Sequence, residues 1–215
     1  MKIPLPDALH LLHRAPIATL ATQSASLPGY PYATVVPLVL DETQRPLLFI
    51  SALAEHTKNL LADPRVSLSV VDPDATDVQA GARLTLVGDA VPVTQDAARI
   101  ARTLRYLPEA ANYLGLDFQF FQIEPKRLRY IGGVGRMGWI ESTEWQTLPT
   151  LDAATETEWI AQAQPAIGET IMGIDPWGID LRAVQGAQRH RRVAAEPITR
   201  LDDVHHLLNV QHSPS

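Results

Sequence analysis

Ser51, Thr57, Lys58 and Asn59 lie close together in the stretch "SALAEHTKNLLADPRVSLSVV", residues 51–71. A hydroxyl closes an apolar, strand-like run. Six residues later a second hydroxyl, a cation and an amide stand where a short apolar helical repeat begins. A helix start leaves backbone N–H groups without intrahelical partners, so this combination supplies the donors that a phosphate needs. The same residues also describe a threonine N-cap beside a solvated lysine, and the stretch alone leaves both readings open. Lysine is scarce here: Lys2, Lys58 and Lys126 are the three in the chain, against fifteen arginines.

The elements that must hold these side chains follow from apolar periodicity and turn chemistry. Residues 7–14 place Leu9, Leu12 and His13 at helical spacing behind Asp7 as N-cap, and Pro16 ends the segment. Residues 17–23, 31–40 and 46–51 are apolar runs of strand length separated by "SASLPGY" and "DETQR", which predicts two hairpins. "HTKNLLAD" is one or two helical turns stopped by Pro64, and "RVSLSVVD" is a strand. "DPDATDVQA" is a polar, exposed loop. Residues 82–93 form a long strand in which Leu84, Leu86 and Gly88 alternate with Arg83, Thr85 and Val87, and Gly88 invites a bulge. Residues 94–114 predict a helix capped by Thr94, with Ala97, Ile100, Ala101 and Leu104 on its apolar face and Pro108 as break. "FQFFQIEP" and "RLRYIGGVGRMGWIE" are two further strands, the second interrupted by "GGVG". So many strands with short helical insertions argue a predominantly antiparallel barrel. After "TEWQTLP" the character changes to a helix over 153–164, two short strands, "GIDLRAV" and "HRRVAA", and the amphipathic helix "RLDDVHHLLNV". The expected division is therefore a barrel over 1–148 and a small α+β extension over 149–215 docked on it.

Composition narrows the function. Eighteen basic and twenty-four acidic side chains give a net charge of -6, so no overall positive field is available for nucleic acid or anionic lipid. Without cysteine there is no disulfide, thiolate metal site or cysteine nucleophile. No run reaches the length of a membrane span and the N-terminus lacks a signal-peptide pattern, so the expected location is cytoplasmic.

The order of segments resembles a known family. "IATLATQSASLPGYPYATVVPLVLDETQRPLLFISALAEHTKNLLADPRVSLSVV", then "ARLTLVGDAVPV" and "YIGGVGRMGWI", is similar to the FMN-binding split barrels related to pyridoxamine 5'-phosphate oxidase, and in particular to their haem-utilisation branch of HugZ type. The resemblance covers about two-thirds of the chain. It implies a fold that is mainly β with α, a six-stranded antiparallel split β-barrel that forms a homodimer, with FMN in a groove between subunits. By that resemblance the flavin lies along Tyr32, Ala33, Thr34 and Val35, with Ile50 and Ser51 on the next strand. Its phosphate meets Thr57, Lys58 and Asn59, and Arg83 and Thr85 face the ring. The arginine and lysine of the oxidases' first strand are absent from "PYATVVPLVL".

Seven histidines remain: His10, His13, His56, His190, His205, His206 and His212. Their spacing reads as surface or helix-end histidines rather than a metal cluster. Haem needs only one axial histidine, and the resembling branch draws one from its C-terminal extension. That points to His212 first, then His205 and His206. "GGVGRMG" lacks the following helix of a dinucleotide loop and reads as a bulged strand, in which Arg136 is either an anion contact or solvated. "RHRRV" reads as a solvated strand edge, and Trp139, Trp145, Trp159 and Trp177 as anchors of the extension. The expected functions are a flavin-dependent oxidoreductase of unknown substrate, alternatively a haem-binding protein that stores haem or supports its degradation, and third a cofactor-free binding module.

Overall fold

The computed structural model describes residues 5–133, 135–184, 190–194 and 197–210. The chain divides into two compact units, Met1–Leu148 and Pro149–Ser215.

The first unit begins with α1 (Leu5–Arg14), β1 (Ile17–Gln23), β2 (Pro31–Pro37), β3 (Val39–Leu40), β4 (Pro46–Ser51), α2 (Glu55–Ala62), β5 (Arg65–Val71) and β6 (Ala82–Val93). It continues with α3 (Ala97–Tyr106), a 3-10 helix (Pro108–Tyr113), β7 (Phe118–Gly132), β8 (Met137–Glu141) and α4 (Ser142–Trp145). The strands form one sheet in the order β2-β1-β5-β6-β7-β4-β3, with β8 added on β7, and the pairs are antiparallel. Its two margins, β2 and β3, are successive stretches of one chain segment that bends at the buried Leu38. Counted as one bent strand, they complete a six-stranded split β-barrel, and β8 is an addition to it. The expected strand 31–40 is thus two short strands that serve opposite margins.

The barrel interior follows from period-two alternation. Leu20, Leu68, Leu84, Leu86 and Leu128 are fully buried, and their strand neighbours are more exposed. Between Val87 and Gly88 the pairing with β7 shifts by one residue, which leaves Lys126 as the extra residue of a bulge. Gly88 is required there, since a Cβ would lie 2.3 Å from the Glu124 carbonyl oxygen. Pro125 stands opposite Gly88, where the ladder is already interrupted and a missing N–H is tolerated. That is why "FQFFQIEP" and "RLRYIG" are one strand of fifteen residues and not two.

Several helix expectations change. α1 starts at Leu5, so Asp7 lies inside the first turn, where it pairs with Arg136 at 2.8 Å. His13 is buried and its Nε2 lies 2.7 Å from Gln44 Oε1. α3 is capped by Asp96, which accepts from the Arg99 N–H at 2.9 Å, and not by Thr94. Ala97 and Ala101 of its expected apolar face are exposed, while Arg102 and Thr103 are buried. The cause is polar: Arg102 Nε donates to the Leu40 carbonyl inside the unit.

The second unit contains α5 (Ala153–Gln162), β9 (Glu169–Asp175), β10 (Gly178–Ala183), β11 (His190–Ala194) and α6 (Leu201–Val210). Its strands form an antiparallel sheet in the order β11-β10-β9. Ile171, Ile174, Ile179, Leu181, Val204 and Leu208 build its core. The sequence pattern missed β9 because its last five residues are buried without alternation. Arg192 is no solvated edge residue: its side chain is buried between Asp175 and Asp180 at 2.9 and 3.0 Å.

Candidate functional site

The predicted site residues fall into two groups. The first surrounds the end of β4 and the start of α2. α2 opens at Glu55 behind Ala54, which has extended backbone and makes no side-chain cap, so Thr57 is inside the first turn and is not the N-cap. Its hydroxyl turns back and donates to the Ser51 carbonyl at 2.6 Å. Asn59 is fully buried; its Nδ2 donates to Thr22 Oγ1 at 2.9 Å and its Oδ1 accepts from the Ala25 N–H at 2.8 Å. These contacts clamp α2 onto β1 and the turn after it. Lys58 points away from them and is exposed. Ile50 is buried opposite Gln119.

Ser51 already serves an anion. Its Oγ donates to Asp117 Oδ2 at 2.6 Å, and the Leu53 N–H reaches the same carboxylate oxygen at 3.2 Å. The Ser51 hydrogen bond is the main reason that the Asp117 carboxyl titrates below its usual range. Of the groups expected to grip a phosphate, the Ser51, Thr57 and Asn59 side chains are therefore spent on Asp117 or on the fold, while Lys58 stays exposed. As they stand, these residues do not fit a flavin phosphate; Asp117 would first have to leave Ser51. Asp117 carries no sequence signal for this role, because it stands 66 residues from Ser51 and reads locally as a turn acid.

His56 lies beside this group. Its Nε2 is buried without a hydrogen-bond partner, and burial pulls the imidazole pKa below its ordinary value.

The second group lies on the outer face of the sheet. Ala33 and Val35 of β2 face outward with Ala21 and Thr19 of β1, whereas Tyr32 and Thr34 pair with Thr22 and Leu20 on the opposite face. Thr85 shares the outer row of Val35 through Thr19 and Ser69. Three strand spacings, about 14 Å, separate the two. Arg83 is occupied, since its Nη1 donates to the Val78 and Gln79 carbonyls at 2.9 and 3.1 Å and holds the preceding loop. On the same face lies a cleft of about 500 Å³ lined in part by Ala21, Arg65, Ser67, Val87, Asp89 and Lys126. Beyond it Trp139 is half exposed, with the Arg127 guanidinium 4.2 Å and that of Arg129 5.2 Å from its ring centre.

His212 lies outside the described residues. His205 is half-buried 3.4 Å from the Gln162 carbonyl, while His206 is exposed and lines a shallow hollow with Arg200 and Asp203. Among the described residues no helix is long and apolar enough to cross a membrane.

A family profile described as pyridoxamine 5'-phosphate oxidase matches residues 6–132, from α1 to the end of β7. The chain belongs to the pyridoxamine 5'-phosphate oxidase family. Its relatives within that family include proteins named for haem. Over 135 residues it is 38% identical to the chloroplastic haem oxygenase HOZ of Arabidopsis thaliana, a match over 61% of this chain and 41% of HOZ. The chain thus matches about two-fifths of that relative's length. Over 126 residues it is 26% identical to the haem oxygenase HutZ of Vibrio cholerae, covering 55% of this chain and 71% of HutZ. A solved haem-binding protein from Mycobacterium smegmatis matches with a TM-score of 0.63 at 27% identity, over 98% of this chain and 97% of its own.

Proposed function

We propose that this member of the pyridoxamine 5'-phosphate oxidase family binds haem and serves haem storage or breakdown, acting as a homodimer. The observation that carries the reading is the likeness to the haem-binding protein of Mycobacterium smegmatis over 98% of the chain. The geometry at α2 supports the same preference, because Ser51 and Leu53 already hold the carboxylate of Asp117 where a flavin phosphate would need them. His212 is the proposed iron ligand.

Haem titrated into the purified protein should give a saturable Soret band at one haem per chain, displaced in wavelength in His212→Ala. Sedimentation velocity should give twice the chain mass of 23.6 kDa. In air with a chemical reductant, a breakdown function predicts loss of the Soret band, and a storage function predicts its persistence. A Soret band that stays that of free haem, with no saturable difference spectrum, would sink the proposal.

The second reading is a flavin-dependent oxidoreductase with FMN near Ser51 and Lys58. Lys58 favours it, as an exposed cation in the first turns of α2. It requires Asp117 to give up Ser51.

A further inference from the structure

One segment of the barrel unit is held in place without a buried apolar side chain. Residues 72–81 join β5 to β6; Asp72, Ala75 and Gly81 among them are half-buried and the rest are exposed. The ties are polar and act at both ends. At the front, the Arg14 guanidinium at the end of α1 donates to Asp72 Oδ1 at 2.8 Å and to Asp74 Oδ2 at 2.6 Å. At the back, Arg83 Nη1 donates to the Val78 and Gln79 carbonyls at 2.9 and 3.1 Å. In between, the segment closes on itself, with the Ala75 N–H on the Asp72 carbonyl at 3.0 Å and the Gly81 N–H on the Asp77 carbonyl at 2.8 Å. A segment with exposed hydrogen bonds and little apolar burial is among the first to open locally. Its ion pairs are also open to screening, since the Debye length falls from about 10 Å at 0.1 M salt to about 3 Å at 1 M.

Beside the segment lies a buried phenol. Tyr130 is 6% exposed and shares the inner face of the sheet with its partner Leu84. Its ring leans along β7 toward Gly132, where a Cβ would stand 2.8 Å from it. The next residue, Gly133, meets the segment: a Cβ there would lie 3.1 Å from the Ala80 carbonyl oxygen. Two ion pairs flank the phenol, Arg136 with Asp7 and Arg14 with Asp72. Burial pushes the Tyr130 pKa above its ordinary value, and Asp7 and Asp72 push the same way against the two arginines. Arg14 therefore has two roles, as neighbour of the phenol and as anchor of the segment.

We propose that residues 72–81 are a strap that Arg14 closes over this end of the barrel, shielding the Tyr130 phenol, and that opens when salt screens the anchoring charges. The device does not depend on the haem reading, because its parts are α1, the connection from β5 to β6 and the end of β7.

The test follows two quantities in the full chain from about 0.05 to about 1 M sodium chloride. One is hydrogen exchange of the amides of 72–81, with those of β1 as reference; the other is nitration of Tyr130 by tetranitromethane, with the exposed Tyr30 as reference, both resolved by peptide mass spectrometry. In the wild type both should rise with salt by about threefold or more. Arg14→Gln should show fast exchange and nitration already at low salt and little further response. Asp74→Asn, at a side chain 82% exposed, should lie between the two. Strap exchange at low salt that matches wild type in both variants would overturn the proposal, because Arg14 would then anchor nothing. A strap that opens while Tyr130 nitration stays level relative to Tyr30 would overturn it too, because the phenol would then be shielded by something else. If the β1 amides of Arg14→Gln also exchange faster, that variant has lost stability throughout, and Asp74→Asn, which leaves α1 intact, decides by the same two readings.

Discussion

Ser51 Oγ donates to Asp117 Oδ2 at 2.6 Å, joining the end of β4 to the residue before β7. With the Leu53 N–H on the same carboxylate, the protein supplies its own anion to the position where phosphate chemistry is expected. Asp117→Ala should free both donors and remove a negative charge, so FMN, followed by quenching of its fluorescence, should bind several-fold more tightly. Adding Ser51→Ala should cancel that gain. Equal FMN binding by wild type and Asp117→Ala would show that no phosphate uses these donors.

Neighbouring residues of α2 should respond in opposite ways. Asn59→Ala strips a buried acceptor from the Ala25 N–H and a donor from Thr22, and should cost about 1–3 kcal/mol in urea denaturation. Lys58→Ala, at an exposed position, should stay within about 0.5 kcal/mol of wild type.

His56 should make the fold acid-sensitive. Burial depresses its pKa below 6.5, so the unfolded chain takes up a proton before the folded one does. Stability from this group is therefore complete above about pH 6.5 and is lost as the pH falls through the lower folded pKa. Between pH 7.5 and 5.5 the melting temperature of wild type should drop further than that of His56→Leu. Parallel curves for the two proteins would remove His56 as the cause.

Arg192 is the counterion of two buried acids. Burial alone would lower its pKa, but Asp180 and Asp175 together raise it. Arg192→Leu leaves both carboxylates inside the second unit without their cation, and should cost about 3–5 kcal/mol by denaturant titration. Replacing Asp175 and Asp180 with Asn in the same protein should recover part of that loss. A single Arg192→Leu variant as stable as wild type would remove the triad from the account of the fold.

Local pattern reading recovered β1, β4 and β6 with their boundaries and β5 to within one residue, because each alternates or stops at a turn residue. It failed where a contact from elsewhere in the chain decides. Pro125 looks like a strand end until it is seen opposite Gly88, and Arg102 stands off the expected apolar face of α3 until it is seen bonded to the Leu40 carbonyl. The candidate site divides in the same way. Thr57 and Asn59 were visible as special, but their partners, Ser51 carbonyl, Thr22 and Ala25, show that they hold α2 in place. The outer row that joins Val35, Thr19, Ser69 and Thr85 and runs on through Arg129 to Trp139 has no sequence signature, since it exists only once six strands are in register.

The bend at Leu38 has a mechanical consequence for the barrel. β2 and β3 leave it in sequence to join opposite margins, so the two ladders they form, on β1 and on β4, share a short tether. A slip of β2 by one residue would turn Val36 outward and pull Val39 and Leu40 off their partners Leu47 and Pro46. Each seam thus proofreads the alignment of the other, and a misregistered barrel must be wrong at both before it is wrong at either.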